Sequence, residues 1–274
     1  MSPRTSQPGR TMTRPRRYAA GAMALLVTLS LAVGTAGSTV GAATAAQGGR
    51  PLPERIGARP GVHQMITVTS ANWETSTATL RAWQRRTDGS WRLARGPVRA
   101  VVGYNGWVQA SKRVQATGTT PAGRFRLPYA FGRLADPGAN LRYRHFDRND
   151  WWPYEPRDPA TYNVWQWHKA KKSHWRANKA EHLWSYGDQY AYGVVIGFNL
   201  PSQIRYSHRR AQWVADGRAD TKRGGGIFLH VRGDGATAGC VAVSRGQLRW
   251  LIRWLRPGAH PQIVMGPYDY VVGL

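Results

Sequence analysis

The stretch "IFLHVRGDGATAGCVAVS", Ile227 to Ser244, contains the single cysteine of the 274-residue chain. Two short apolar runs, "GIFLHV" and "CVAVS", flank the glycine-rich segment "RGDGATAG". Runs of this kind predict two strands of one sheet, with the glycine-rich loop folding back sharply between them. His230 ends the first run and Cys240 opens the second. The two side chains are therefore expected to meet at one edge of a sheet.

An amphipathic helix is predicted directly after this stretch. Ser244 and Gln247 have the S-x-x-Q spacing of a capping box. Apolar residues then recur at helical spacing, at Leu248, Leu251, Ile252 and Leu255. Pro257 and Gly258 end the pattern. The helix would anchor the far end of the strand that Cys240 opens.

The rest of the chain indicates a mainly β fold with few helices. Strand-like runs have β-branched enrichment or alternating polarity, and "TDGS" between two of them predicts a turn. "GTTPAGRFRL" (118–127) predicts a turn that leads into a strand. The other predicted strands are "QMITVTS" (64–70), "TATLRAWQR" (77–85), "WRLARGPVRAVVG" (91–103), "YGVVIGFN" (192–199) and "PQIVMG" (261–266).

Residues 128–190 differ from both sets of strands because they are dense in Trp, Tyr, His and Asp. We interpret them as an inserted aromatic lobe that forms one wall of a cleft, and we expect a helix around Ser173–Ser185. The aromatic side chains suit either a core or a ligand platform. Histidines at 168, 174 and 182 do not share one helical face at spacings of six and eight, so no metal site is expected.

The N-terminus has the pattern of a secretory signal peptide. Met1 to Arg17 carries five arginines and no acid, an apolar stretch follows, and small residues end near Ala46. An uncleaved membrane anchor is the alternative, because the apolar stretch approaches spanning length. We expect a signal at 1–46, a Pro-, Gly- and Arg-rich linker at 47–63 and a catalytic domain at 64–268. The protein would then be secreted or held at the cell wall, with no membrane association after cleavage.

The charge balance favours an anionic partner. The chain has 39 basic and 14 acidic residues and a net charge of +25. Such a charge attracts acidic polymers, of which nucleic acid is one. An exported protein meets anionic cell-envelope polymers instead, so we expect those as partners and no nucleic acid. The sequence carries no signal for an oligomeric state.

A single cysteine in an exported protein cannot form an internal disulfide, so it is either chemically active or a small buried hydrophobe. The nucleophilic form is the thiolate, which a nearby histidine generates or stabilises. We therefore expect Cys240 to be partly thiolate near neutral pH, with His230 as its partner. Gly239 permits close backbone approach, so the amides of Gly239 and Cys240 are the expected oxyanion donors. This chemistry needs no cofactor.

The block "GGIFLHV…TAGCVAVS" resembles the YkuD-type catalytic domain of L,D-transpeptidases in its actinobacterial form, and "TTPAGRF" is similar to that family's T-P-x-G-x-F segment. The resemblance runs from about Gln64 to Gly266 and implies a β-sandwich or barrel. It implies that His230 is the general base, held by the backbone carbonyl of Val231. It also implies that a peptidoglycan stem tetrapeptide acylates Cys240 at its diamino-acid residue and releases the terminal D-alanine.

Three positions depart from the family pattern. The family commonly has S-H-G-C with an arginine two residues after the cysteine, whereas this chain has Thr237-Ala238-Gly239-Cys240 and Ala242. We expect Arg232 and Arg245 to replace the missing arginine in holding a substrate carboxylate, and Thr237 to contact substrate.

Three functions fit these residues. A transpeptidase would pass the acyl group to an amine of a second stem and form a cross-link. An L,D-carboxypeptidase would pass the same acyl group to water. A catalytically idle wall-binding protein would use only the charge and the aromatic residues.

Overall fold

The secondary structure of the described chain is mainly β-strand, with three α-helices. The computed structural model describes residues 49–169 and 173–274. The predicted signal peptide lies outside the described residues, within which no helix is both long enough and apolar enough to span a bilayer. The strands are β1 (Gln64–Ser70), β2 (Thr77–Arg85), β3 (Trp91–Val101), β4 (Trp107–Gln109), β5 (Thr120–Arg126), β6 (Ala130–Gly132), β7 (Tyr143–His145), β8 (Trp151–Pro153), β9 (Ala180–His182), β10 (Gly193–Val195), β11 (Ser202–Ser207), β12 (Gln212–Gly217), β13 (Phe228–Val231), β14 (Val241–Val243) and β15 (Gln262–Pro267), and the α-helices are α1 (Leu52–Arg55), α2 (Arg245–Trp254) and α3 (Tyr268–Val272).

Eleven of the described strands form one mixed sheet in the order β4-β5-β15-β1-β2-β3-β14-β13-β10-β6-β7. The sheet curls, because its two ends approach each other: the Gly197 amide beyond β10 donates to the carbonyl of Arg126 at the end of β5. The rings of Phe125 and Phe198 meet edge to face at 5.8 Å across the same junction. The expected fold class, mainly β with few helices and a sandwich-like or barrel-like curl, is confirmed.

The main core lies inside the curl. Strand β1 is buried along its whole length because β15 and β2 pair with its edges, while the main core covers Ile66 and Val68 on one face and a smaller core covers Met65 on the other. Helix α2 covers one face of the sheet with the predicted stripe of Leu248, Leu251 and Ile252. The helix begins at Arg245 with Ser244 as its N-cap, but the predicted capping-box bond is not formed. Gln247 Oε1 instead accepts a hydrogen bond from Arg95 Nε at 2.9 Å.

The N-terminal segment of the described chain packs against the domain. Leu52 of α1, Ile56 and Val62 are buried in a small core with Met65 and Trp91. The Arg124 guanidinium donates to the carbonyl of Ile56 at 2.8 Å. The sequence analysis predicted a linker here because this stretch is rich in Pro and Gly. Its three apolar residues are too few to form a periodic pattern.

The aromatic lobe (128–190) contains strands and 3₁₀ turns where the sequence predicted a helix. Within 173–185, a 3₁₀ turn at Ala177–Lys179 leads into β9, and a 3₁₀ segment at Leu183–Tyr190 follows. The helix prediction is wrong because β9 pairs with β8, opposing Trp151 to His182 and Trp152 to Glu181. Stacking of Trp151 on His182, with ring centroids 4.5 Å apart, contributes to this pairing.

A hairpin that the sequence analysis did not find supports the lobe from outside. Strands β11 and β12 pair with each other and not with the main sheet. Gln166 of the lobe donates to the carbonyl of Trp213 at 2.8 Å and accepts from its amide at 3.0 Å. Arg210 pairs with the buried Asp158 at 2.7 Å. The hairpin therefore holds the outer side of the lobe.

The lobe packs on the sheet through a second, aromatic core. Its members come from the lobe, from β10 and β13, and from the loops that hold Ala219 and Cys240. They are Phe131, Phe146, Trp152, Tyr154, Tyr162, Trp165, Leu183, Tyr190, Val195, Ala219, Phe228 and Cys240. The Phe131 ring fills the space above Gly193 in the neighbouring strand, since a Cβ on Gly193 would lie 2.4 Å from the ring.

Replacing Gly193 with alanine is expected to lower the free energy of unfolding by about 1–3 kcal/mol, because the new methyl group overpacks against the Phe131 ring. Gly246→Ala in α2 is the matched control, since its Cβ meets no atom within 4 Å. That change should leave stability equal or slightly higher. Urea unfolding of both variants tests the packing, and equal stability of the two would contradict it.

Candidate active site

Parallel pairing of β13 and β14 places Cys240 and His230 on one face of the sheet. The register joins Leu229 to Val241 and His230 to Ala242. Partners in a parallel pair face the same side, so Cys240, two residues before Ala242, shares the face of His230. The strand spacing and rise put their Cα atoms on the order of 8 Å apart, along the diagonal. The structure thus places the two side chains on one face of the sheet, with His230 inside β13 and Cys240 directly before β14.

The Cys240 thiol is held between two backbone groups. Its sulfur accepts a hydrogen bond from the Phe228 amide at 3.3 Å and donates to the Gly226 carbonyl at 3.4 Å. Burial raises the pKa of Cys240 to about 12, and the Glu181 carboxylate adds to this rise. The Phe228 amide and the Arg113 guanidinium partly oppose it. The expected thiolate at neutral pH is therefore wrong for this arrangement, because a desolvated thiol keeps its proton.

The His230 ring is fixed by its own strand. Nδ1 lies 2.8 Å from the carbonyl of Val231, so this nitrogen carries the proton and Nε2 is left as the acceptor. Burial lowers the pKa of His230 to about 4, and the carbonyls of Val231 and Gln189 partly counter this. The imidazole is thus neutral at physiological pH and able to accept a proton.

The turn before Cys240 is braced by Thr237. Its hydroxyl donates to the Cys240 carbonyl at 2.6 Å and accepts from the Gly239 amide at 3.1 Å. Gly239 has a φ of 139° and faces the Thr119 carbonyl, which a Cβ would approach to 2.8 Å. Thr237 is therefore engaged within the turn, where the sequence analysis predicted a substrate contact. Of the two predicted oxyanion donors, the Gly239 amide is therefore already hydrogen-bonded within the turn.

Neither of the two predicted substrate arginines is brought to Cys240. Arg245 pairs with Asp188 at 2.8 Å and thereby ties α2 to the 3₁₀ segment Leu183–Tyr190. Arg232 is exposed and lines a separate surface depression with Arg99 and Asp234. Both arginines are close to Cys240 in the sequence, but neither contacts its thiol in the structure.

Arg113 is the arginine next to Cys240, and sequence reasoning missed it. Its side chain is buried and donates to the carbonyls of Thr119 and Arg223 and to the amide oxygen of Gln115. Burial lowers the pKa of Arg113 and the nearby Cys240 raises it. No spacing pattern distinguishes this arginine from Lys112 beside it, because only the tertiary fold carries it to the site.

A tyrosine and a carboxylate cover the site. The Tyr190 ring contacts the rings of Phe228 at 5.8 Å and His230 at 5.4 Å. Its hydroxyl donates to Glu181 Oε2 at 2.7 Å. Burial raises the pKa of Glu181 to about 7, although the Tyr190 hydroxyl lowers it. The site in this arrangement is closed over two neutral reactive groups.

Within the described residues, no three histidine, cysteine or acidic side chains converge as metal ligands. What remains is a cysteine and a carbonyl-held neutral histidine on one face of a curled sheet, a pairing that suits nucleophilic catalysis.

Comparison with known families identifies this arrangement. The L,D-transpeptidase catalytic domain (YkuD) matches residues 74–265, which is well over half of the chain. The chain belongs to this family of L,D-transpeptidase-type enzymes, whose substrate is peptidoglycan, and the resemblance seen in the sequence is confirmed. Comparisons with curated proteins and with solved structures give no significant match.

The raised pKa of Glu181 predicts a pH-dependent stability difference. A carboxyl whose pKa is raised on folding destabilises the folded state as the pH rises from its unfolded value of about 4.3 through about 7. Glu181→Gln should therefore match the wild type in melting temperature near about pH 4 and exceed it near about pH 8.5. The exposed Glu74→Gln is the control and should show no such divergence. A pH-independent offset for Glu181→Gln would refute the assignment.

Proposed function

We propose that the protein transfers an acyl group from a peptidoglycan stem peptide to an amine of a second stem, through a thioester on Cys240. The observation that carries this proposal is the fixed His230 ring on the face of the sheet that also bears the thiol. A histidine oriented by its own backbone, on the same face as the single cysteine of the chain, is typical of a catalytic base. A purely structural core would not require it.

The acylation step follows from the two groups. His230 Nε2 takes the thiol proton as the sulfur attacks the carbonyl carbon of the stem's diamino-acid residue. The Cys240 amide and the nearby Arg113 stabilise the negative charge that develops in the attack. The C–N bond to the terminal D-alanine then breaks, and the imidazolium returns its proton to the leaving amine. The product is a thioester and free D-alanine.

In the second step, deacylation, the Cys240 sulfur is the leaving group. An acceptor amine attacks the thioester carbon, His230 takes the amine proton, and the Cys240 sulfur leaves and recovers a proton from the imidazolium. Water in place of the amine gives carboxypeptidase activity with the same intermediate. The choice depends on which acceptor reaches the thioester.

Substrate access requires the cover to move. Both reactive groups are neutral because Tyr190 and the aromatic core exclude water from them. The 3₁₀ segment Leu183–Tyr190 is held by exposed ion pairs from Asp188 to Arg133 and Arg245. Exposed pairs contribute little stability, so the main cost of displacing this segment is the removal of Leu183 and Tyr190 from the aromatic core.

We also propose that residues 1–46 direct export and are removed, which brings the domain to the wall. The positive charge of the chain supports a partner among anionic envelope polymers. Fractionation should recover a chain lacking about 46 residues from the wall or medium, as expected for a cleaved signal peptide. Full-length chain confined to the cytoplasm would overturn this part of the proposal.

Mass spectrometry of mature protein incubated with disaccharide-tetrapeptides tests the reaction. Cross-linked dimers lacking one D-alanine are the expected product. Tripeptide with free D-alanine would instead mean a carboxypeptidase, and unchanged substrate would indicate an idle wall-binding protein. His230→Ala should slow turnover by about 10²–10⁴-fold, whereas the exposed His63→Ala should not.

Acylation can be tested apart from the natural substrate. A carbapenem, the β-lactam class that inactivates enzymes of this family, should add once per chain, and peptide mapping should place the adduct on Cys240. Cys240→Ser should form no adduct. A folded wild-type protein that resists labelling until it is denatured would exclude Cys240 as a nucleophile.

A further inference from the structure

A second cleft lies on the aromatic lobe, next to the site but separate from its reactive groups. It encloses about 500 Å³ between β6, β7, the lobe and the β11–β12 hairpin. Neither Cys240 nor His230 lines it. Four tryptophans and three arginines line it, and they are Trp152, Trp165, Trp167, Trp213, Arg126, Arg142 and Arg144.

Trp167 is the solvent-exposed tryptophan of this cleft, whereas Trp152 and Trp165 are buried. The Trp167 side chain is 52% exposed although it has aromatic neighbours. It meets Trp213 edge to face at 4.8 Å and stacks on Tyr206 at 6.2 Å. Ile204, in the same wall, is 49% exposed. An exposed, preorganised aromatic surface in a concave site is typical of ligand binding, and flat indole faces suit the C–H faces of a sugar ring.

The arginines lack counter-ions. Within the described residues, 49–169 and 173–274, no carboxylate forms an ion pair with Arg126, Arg142 or Arg144. The Arg144 guanidinium lies 4.1 Å from the centre of the Trp165 ring, and its Nη2 is buried with no hydrogen-bond partner among the described residues. A partly buried cation without a bonded anion is electrostatically costly unless a ligand supplies the charge.

The nearest acid does not fill this role. Asp150 is buried and accepts hydrogen bonds from Trp165 Nε1 at 2.5 Å and from the Asp147 amide at 2.9 Å. Its charge attracts Arg144 at a distance, but its oxygens are committed to the indole and the backbone. The cleft therefore keeps a surplus of positive charge beside an exposed aromatic face.

We propose that this cleft binds an anionic saccharide, a pyranose ring with an adjacent carboxylate or phosphate. The ring would lie against Trp167, and the anion would be held by Arg126, Arg142 and Arg144. The proposal deepens the proposed function, on which it rests, by giving a site to the attraction between this cationic chain and the anionic glycans of the envelope.

The cleft is also connected to the catalytic turn. Asn163 lines the cleft and its Oδ1 accepts a hydrogen bond from the Gly226 amide at 2.9 Å. The carbonyl of the same Gly226 accepts the Cys240 thiol proton at 3.4 Å. A glycan held in the cleft would thus lie one layer of side chains away from the thiol, which suits a role in holding the wall polymer while its peptide reacts.

Calorimetric titration of the mature wild-type protein tests the site without turnover, because the probes carry no stem peptide. The probes are N-acetylmuramic acid, N-acetylglucosamine 1-phosphate and neutral N-acetylglucosamine. The two anionic sugars should bind at least about tenfold more tightly than the neutral one, as charge-assisted hydrogen bonds to arginine predict. If only one anion binds, the group that the cleft selects is the carboxylate or the phosphate accordingly.

Variants separate a built site from general attraction. Arg126→Gln with Arg142→Gln should weaken anionic binding about tenfold or more, and Trp167→Ala should weaken all three sugars. Arg99→Gln, which removes an exposed charge from another depression, is the control and should have no effect. Equal affinity for the neutral sugar, equal loss in Arg99→Gln, or no binding of any probe would overturn the proposal. Because these assays do not use Cys240, their failure leaves the acyl-transfer proposal standing.

Discussion

The pairing of β13 with β14 is the interaction on which the site depends. Parallel neighbours usually need a crossover of a dozen or more residues, yet here nine residues separate the two strands. The loop is held by the residues that follow β3. The Thr237 amide donates to the Val102 carbonyl, and the Thr237 carbonyl accepts from the Tyr104 amide. The short connection fixes the register, and the register places the thiol on the histidine's face.

Burial of that same face under the aromatic lobe determines its chemistry. Water is replaced by the rings of Phe131, Phe228 and Tyr190, so a charge on either reactive group would be poorly solvated. The pKa of Cys240 rises and that of His230 falls for one reason, desolvation, with opposite signs because one group is an acid and the other a base. The covered face therefore favours a neutral thiol and a neutral imidazole.

Local pattern predicted the elements whose burial follows a simple period. Strands β1 and β2 coincide with "QMITVTS" and "TATLRAWQR", and α2 follows its leucine stripe. The predictions that were wrong concern tertiary contacts: β9 is a strand because β8 pairs with it, and the thiol is neutral because the lobe covers it. The shared face of Cys240 and His230 could be inferred from the sequence because His230 lies in β13 and Cys240 directly precedes the neighbouring strand β14. The position of Arg113 could not, because more than a hundred residues separate it from the cysteine.

The residue two positions after Cys240 connects these points. Ala242 is fully buried and pairs with His230 on the covered face. An arginine there, as the family commonly has, would place a long cation beside the Tyr190 and Phe228 rings. This chain instead brings Arg113 to the cysteine from the segment before β5, and three polar groups satisfy its guanidinium. The small side chain of Ala242 therefore leaves room for the aromatic cover over the sheet. Arg113, which is distant in sequence, keeps a positive charge near the thiol.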